Sequence, residues 1–497
     1  MTLSVKCLKI DTYGENIAYL SCACKIYKPE EFLGLNKVEV SGRHGKTILA
    51  TLNVVEDEKI LGCMELGLSI PAFRRLGLKE GGQVSIIPAT PPASLDHVRA
   101  KIYGEVLGAR AIREIVDDIA AYRYSKMEIA AFLVSCASFM TVEEIFNLTV
   151  AMAKAGNILD WDHAYPLVVD KHCVGGLPGN RTSMVIVPIV AAYGLTIPKT
   201  SSRAITSPSG TADTMEVLAE VDLDLKKMKQ VVHKHHGCLV WGGKVNLSPA
   251  DDIMISVERP LGIDTPEQMV ASIMSKKIAA GSSHLVIDIP VGPTAKVKTR
   301  KEAMRLRKLF EHIARRINMV VDVVLTDGTA PVGFGIGPVL EARDVMDVLA
   351  CREAGPKDLR ERSLMLAGRI LEFDAKLPGG EGYRTAKRIL ESGQALETMS
   401  GIIRDQGKAE KTHPGTKVFE VKAPKSGQVK TLDCGRLARI ARAAGAPHFK
   451  GAGVDLLKKT GEKVKQGEPL YRIHAEIGSD FAFARAMAEE NSGYKIR

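Results

Sequence analysis

From residue 165 the chain runs twice through one scheme: a short apolar stretch, a loop rich in glycine or hydroxyl residues, then a stretch apolar enough for a buried helix. Residues 165–170 read as a strand, the Gly-rich loop follows, and 182–193 read as the helix. A short strand at 196–198, a Ser-rich loop at 200–209 and a helix at 211–219 repeat the order, and further strands read at 284–290 and 319–325. Strands alternating with helices argue for a parallel α/β sheet, because parallel strands need a crossover that is usually helical. In an open parallel sheet the loops that follow strands emerge together at the C-terminal edge, where ligands bind.

The flanking segments follow other patterns. At 497 residues the chain is too long for one core. Residues 1–90 read as a β-rich domain, with apolar runs at 38–40, 48–54 and 84–87, and the segment 67–88 resembles the small β-barrel placed before the ATPase modules of some unfolding machines. Pro88, Pro91 and Pro92 mark a linker. A helical lobe is expected over 91–163. Helical spacing covers 112–122, Ser125 reads as an N-cap for a helix to 137, and Thr141 with Glu144 forms a capping box for a helix ending at Gly156. The α/β domain spans 164–411, with a part near 249–282 returning to the helical lobe. A C-terminal α+β domain, 412–497, has strands at 418–422, 427–432 and 469–475 around one helix at 435–443. The expected fold is thus an α/β core with a helical lobe, a small N-terminal β domain and a C-terminal α+β domain.

Nine scattered cysteines complete no zinc spacing and read as reduced, mostly buried residues. The first residues lack the pattern of a secretory signal, and no apolar run reaches 18 residues, so a cytoplasmic protein without a membrane partner is expected. The net charge of +10 is spread along the chain and aromatics are 5%, which suits steering of anionic substrates as well as a nucleic-acid surface. Gly333, Gly335 and Gly337 lack dinucleotide-binding spacing and read as a backbone bend.

Two loops carry the chemistry. The first, DKHCVGGLPGNRTS over 170–183, joins a strand to a helix N-terminus, whose free N–H groups favour anions. Lys171 and Arg181 add charge, Thr182 and Ser183 add hydroxyls, and no Walker motif is present. The second, SSRAITSPSGT over 201–211, occupies the equivalent place in the next unit. Together they can surround one oxyanion, and no metal is required.

The pattern D-K-H-x-x-G-G with T-S, then S-S-R-A-x-T-x-x-x-G-T-x-D-x-x-E, resembles the thymidine and pyrimidine-nucleoside phosphorylase family. The likeness continues through ASIMSKK at 271–277, the strand 286–291 and Thr326-Asp327-Gly328, and covers roughly 95–495. Departures are Cys173 in place of a hydroxyl residue, a longer glycine loop at 175–180, and ERPLGID at 258–264 in place of an Arg-Asp pair. With the additional N-terminal domain, these features resemble the archaeal AMP phosphorylase branch. That resemblance implies conversion of AMP and phosphate to adenine and ribose 1,5-bisphosphate, with CMP and UMP as further substrates. It also implies a homo-oligomer built on a dimer, phosphate as co-substrate, and no other cofactor, metal or nucleic-acid partner.

At matching positions the resemblance assigns ligand contacts to Gly176, Ser202, Arg203, Ala204, Ile205, Thr206, Ser207, Thr211, Ser272 and Lys296, and makes Asp264 the proton donor. The residues themselves leave choices open. Asp264 also reads as a solvated position before the Thr265 cap, and His172 as either a ligand donor or a structural histidine. Lys276 shares a helix face with Ser272 and is either a site residue or a surface one, while Lys277 is expected on the surface. Lys171, Arg181, Arg203, Lys276 and Lys296 together exceed the cation one phosphate needs, which favours a substrate with a second phosphate. The alternatives are a thymidine or pyrimidine nucleoside phosphorylase, a phosphoribosyltransferase on a related scaffold, and a basic nucleic-acid-binding or scaffold protein. The C-terminal strands also fit a lipoyl-type carrier, although no lysine sits in a clear hairpin.

Overall fold

Alternating inward apolar residues in the first 90 positions close a six-stranded barrel rather than an open sheet. In this computed structural model, which describes residues 2–27, 37–42, 46–161, 165–204 and 207–497, the barrel strands follow the order Leu3–Cys7, Glu65–Leu68, Ile17–Ser21, Thr47–Val55, Lys37–Gly42 and Gln83–Pro88. Leu3, Val5, Leu20, Val38, Val40, Leu66, Leu68 and Val84 fill its interior, and closure leaves no open strand edge.

The chain divides into two compact units, Met1–Gly156 with Ser248–Ser275, and Asn157–Leu247 with Lys276–Arg497. The first unit continues from the barrel into helices whose starts the sequence marks well. Lys126–Ser138 and Val142–Lys154 each begin with a complete capping box, Ser125 with Glu128 and Thr141 with Glu144. The helix Pro249–Leu261 packs on Ala109–Ala120 and Lys126–Ser138. Among the described residues no helix is long and apolar enough to cross a membrane.

The second unit holds the parallel sheet. Val169–Cys173, His284–Val291 and Val320–Asp327 pair in parallel with His284–Val291 central, and Ile197–Ser201 pairs in parallel with Gly237–Trp241. A parallel bridge between Val168 and Thr196, with Val169 N–H donating to the Thr196 carbonyl at 2.8 Å, joins the two sets. The first strand lies later than the apolar run 165–170 implied, because Asp170 and Lys171 are inside the sheet with buried partners of opposite charge. Thr182–Tyr193 is the buried helix expected, fully enclosed from Thr182 to Ala191.

The C-terminal part pairs Lys417–Lys422 with Pro469–Ala475, then Gly453–Leu456, then Gly335–Ile336. Gly335 is therefore a strand residue as well as part of a bend, and a Cβ on Gly337 would stand 2.4 Å from the Ala452 carbonyl oxygen. Besides Cys434–Ala443 there is a second helix, Gly478–Glu490, which hides from hydrophobic patterning because its buried residues are only Ala484 and Ala488.

Candidate functional site

Three loops leave the C-terminal ends of the parallel strands, 174–181 after Val169–Cys173, 202–210 after Ile197–Ser201 and 292–299 after His284–Val291. Gly176 has φ +83°, and a Cβ on it would stand 2.5 Å from the Lys296 backbone nitrogen, so the first and third loops meet there backbone to backbone. Lys296 itself is exposed.

Arg181 ties the first loop to the second. Its Nη1 donates to Thr211 Oγ1 at 3.0 Å, its Nη2 donates to the Ser209 carbonyl at 2.8 Å, and its Nε lies 2.5 Å from Glu341 Oε2. Burial pushes the Glu341 carboxyl up, with Arg181 opposing. Ser183, in the first turn of the helix Thr182–Tyr193, is buried, and Thr211 opens the short helix Thr211–Met215 half-buried.

Two acidic residues of the second motif, whose roles the sequence did not reveal, organise the second loop. Asp213 accepts from Ala204 N–H at 2.6 Å and from Gly210 N–H at 2.8 Å. Glu216 accepts two bonds from Arg203, at 2.7 and 2.9 Å. Arg203 also lies 3.3 Å from Asp222 and its guanidinium carbon 4.9 Å from the Trp241 ring centre. The Arg203 guanidinium, followed by Lys450, holds the Glu216 carboxyl down at about 2. Ser202 is exposed, Ser207 Oγ donates to the Ser209 carbonyl at 2.7 Å, and Ile205 and Thr206 lie outside the described residues.

A buried charge cluster sits on the strands behind the loops. Asp170 lies 2.6 Å from Lys277 and 3.4 Å from Lys199, while Lys171 donates to Thr182 Oγ1 at 2.8 Å and lies 3.8 Å from Asp288. Burial pushes the Asp170 carboxyl up, but Lys199 and Lys277 outweigh it and hold it below the ordinary carboxylate range. Burial, joined by Lys199, brings the Lys277 ammonium down to about 8. His172 is half-buried, and burial together with Lys277, Lys199, Lys171 and Lys276 pushes its imidazole well below the usual range, so it is neutral. Burial and the Asp288 charge push the Cys173 thiol up to about 12, and Asn180 Nδ2 donates to its sulfur at 3.2 Å. Such a thiol stays protonated and is no nucleophile at neutral pH.

Two expectations are corrected here. Lys277 is not on the surface: it is 2% exposed, because Asp170 inside the sheet needs a cation. Lys171, Arg181 and Arg203 are not surplus cations either, since each is paired with carboxylates of the fold itself.

Asp264 and Ser272 belong to the first unit. Asp264 is exposed and immediately precedes Thr265, whose Oγ1 accepts from Gln268 N–H at 3.2 Å as the expected cap. Ser272 and Lys276 stand one turn apart on Pro266–Ala279, both half-buried.

The chain matches three family models: the helical bundle domain of a glycosyl transferase family over 95–156, the a/b domain of that family over 165–396, and a pyrimidine nucleoside phosphorylase C-terminal domain over 428–495. It is 57% identical to a protein of Rhodopseudomonas palustris, over 99% of this chain and 96% of the relative, and 56% identical to one of Bradyrhizobium sp., over 99% and 97%. A relative from Albidiferax ferrireducens is 54% identical over 99% of this chain and 95% of its own length, and all three carry thymidine phosphorylase as a provisional name. Anthranilate phosphoribosyltransferase from Thermus thermophilus shares the fold at a TM-score of 0.51 and 19% identity, covering 63% of this chain and 99% of that one. With identity above half along nearly the whole length, this chain belongs to the thymidine and pyrimidine-nucleoside phosphorylase family, whose members are pentosyl-transferring enzymes.

Proposed function

We propose that this protein splits the N-glycosidic bond of thymidine or a related pyrimidine nucleoside with inorganic phosphate, releasing the base and a pentose 1-phosphate. The observation that carries the choice of a nucleoside over a nucleotide is the pairing of Lys171, Arg181 and Arg203 with Asp288, Glu341 and Glu216. These cations are already compensated within the protein, so the case for a second, 5′-phosphate subsite loses three of its five supports. The provisional names of relatives that match over the whole chain point the same way.

In this reading phosphate lies against the Gly176 loop, the 202–207 loop, Thr211 and Ser183, with Lys276 or Lys296 supplying positive charge. A phosphate oxygen bonds to C1′ as the C1′–N bond breaks, and positive charge builds on the pentose between these events. Asp264 gives a proton to the departing base, and the neutral His172 hydrogen-bonds that base. A neutral imidazole can donate from one nitrogen and accept at the other, which suits a base edge carrying both kinds of group. The protein acts as a homo-oligomer built on a dimer, which light scattering would check.

The test is kcat/KM for thymidine, adenosine, AMP and CMP at one phosphate concentration. Thymidine at least about tenfold above AMP is expected. The alternative, phosphorolysis of nucleoside monophosphates, requires AMP to exceed adenosine and thymidine by roughly two orders of magnitude, the equivalent of losing charge-assisted contacts to one phosphate.

A further inference from the structure

Two lysines of the C-terminal domain contact residues that in turn hold the loops just described. Lys450 Nζ contacts Glu216 Oε2, the same carboxylate that holds both arms of Arg203. The Lys450 carbonyl also accepts from Val339 N–H at 3.2 Å, which fixes Lys450 against the helix Pro338–Leu349. Lys459 Nζ donates to the Pro331 carbonyl at 3.1 Å and to the Gly333 carbonyl, and lies 2.9 Å from Asp358. The segment between those carbonyls carries Val332, whose N–H donates to the Pro178 carbonyl of the glycine loop at 3.1 Å. Val332 is buried in the core of the α/β domain, and four residues on Ile336 is buried in the core of the C-terminal domain. All of these residues belong to one compact unit.

We propose that Lys450 and Lys459 are positioning residues through which the C-terminal domain holds both anion-site loops in register, Lys450 by way of Glu216 and Arg203, Lys459 by way of 331–333 and Pro178. Neither lysine touches the reacting atoms. The physical reason is loop order. Arg203 and Ala204 follow directly on the exposed Ser202, and a loop that occupies its binding geometry for only part of the time loses affinity in proportion. A second cation on Glu216 keeps that carboxylate aimed at Arg203, which fixes the loop. The glycine loop takes one of its anchors from Val332, through the bond to the Pro178 carbonyl.

This inference rests on the phosphorolysis reading for its kinetic readout only. The experiment compares the full-length protein with Lys450→Met, Lys450→Arg, Lys459→Met, Glu216→Gln and the double variant Lys450→Met/Glu216→Gln. Lys450→Met should raise KM for phosphate by about tenfold while kcat stays within about threefold, and Lys450→Arg should restore most of the difference. In the Glu216→Gln background Lys450→Met should add little, because the two act on one path. Amide hydrogen exchange at 202–204 and 207–212, measured without any ligand, should quicken in Lys450→Met and recover in Lys450→Arg. Exchange at 175–180 should quicken in Lys459→Met and not in Lys450→Met. Unchanged exchange in both loops, or an equal effect of Lys450→Met with and without Glu216, overturns the proposal. A wild-type protein that cleaves no nucleoside would defeat the functional reading alone, because the exchange arms read the loops directly.

Discussion

Arg181 ends one loop of the sheet edge and Thr211 opens the helix after the next, and the 3.0 Å bond from the guanidinium to the threonine hydroxyl, with the 2.8 Å bond to the Ser209 carbonyl, makes the two loops one structure. The same guanidinium is set by Glu341, 1% exposed on the helix Pro338–Leu349. A residue that looks like a phosphate ligand in sequence is thus a cross-link that shapes the site. Removing it leaves a buried carboxylate without its cation. Arg181→Met should therefore cost stability by about 3–5 kcal/mol, read from urea unfolding, and activity should fall with it. Thr211→Val keeps the salt bridge, so it should affect phosphate KM more than the unfolding midpoint.

The glycine loop offers a controlled comparison. Gly175 and Gly179 both have positive φ, +96° and +73°, but a Cβ on Gly175 meets nothing within 4 Å and one on Gly179 would lie 2.0 Å from the Val332 carbonyl oxygen. Gly175→Ala should cost only backbone strain, about 1 kcal/mol. Gly179→Ala should cost clearly more and also raise phosphate KM, because the clash displaces the segment to which the loop is anchored. Equal unfolding midpoints for the two variants would contradict this account.

Asp264 is exposed and precedes a helix whose cap is Thr265, so its replacement should leave the fold intact. If it donates the proton to the leaving base, Asp264→Asn should lower kcat by about 10²–10⁴-fold with substrate KM little changed. Turnover near that of wild type would remove it from the mechanism.

Glu216 gives a pH signature with a definite sign. Arg203 and Lys450 hold its folded-state pKa at about 2, below the ordinary glutamate value of about 4.3. The contribution to stability is therefore present above about pH 4.3 and is lost as pH falls toward 2, since the unfolded chain takes up the proton first. The gap in urea midpoint between wild type and Glu216→Gln should be constant above about pH 5 and shrink below it. A gap that grew on acidification would have the wrong sign.

What the sequence determined by itself are the features set by near neighbours. The capping boxes at Ser125 and Thr141, the buried helix Thr182–Tyr193, the barrel strands Lys37–Gly42, Thr47–Val55 and Gln83–Pro88 and the parallel sense of the sheet show in local periodicity and in residues three or four positions apart. The barrel strands Leu3–Cys7, Ile17–Ser21 and Glu65–Leu68 are not read there. The family was legible for a similar reason: motifs are local strings, and D-K-H-x-x-G-G or G-T-x-D-x-x-E can be read without knowing what faces them. Partnership across the fold could not be read. Lys277 looks like a surface lysine until Asp170, more than a hundred residues earlier, is placed beside it inside the sheet, and Arg203 looks like an anion-binding residue until Glu216 and Asp222 surround it. A charged side chain in a sequence carries no sign of whether its counter-charge will be solvent, ligand or another residue. Only the packing of the sheet edge against Pro338–Leu349 and the C-terminal domain decided that, because a charge removed from water must find its partner wherever the tertiary fold puts one.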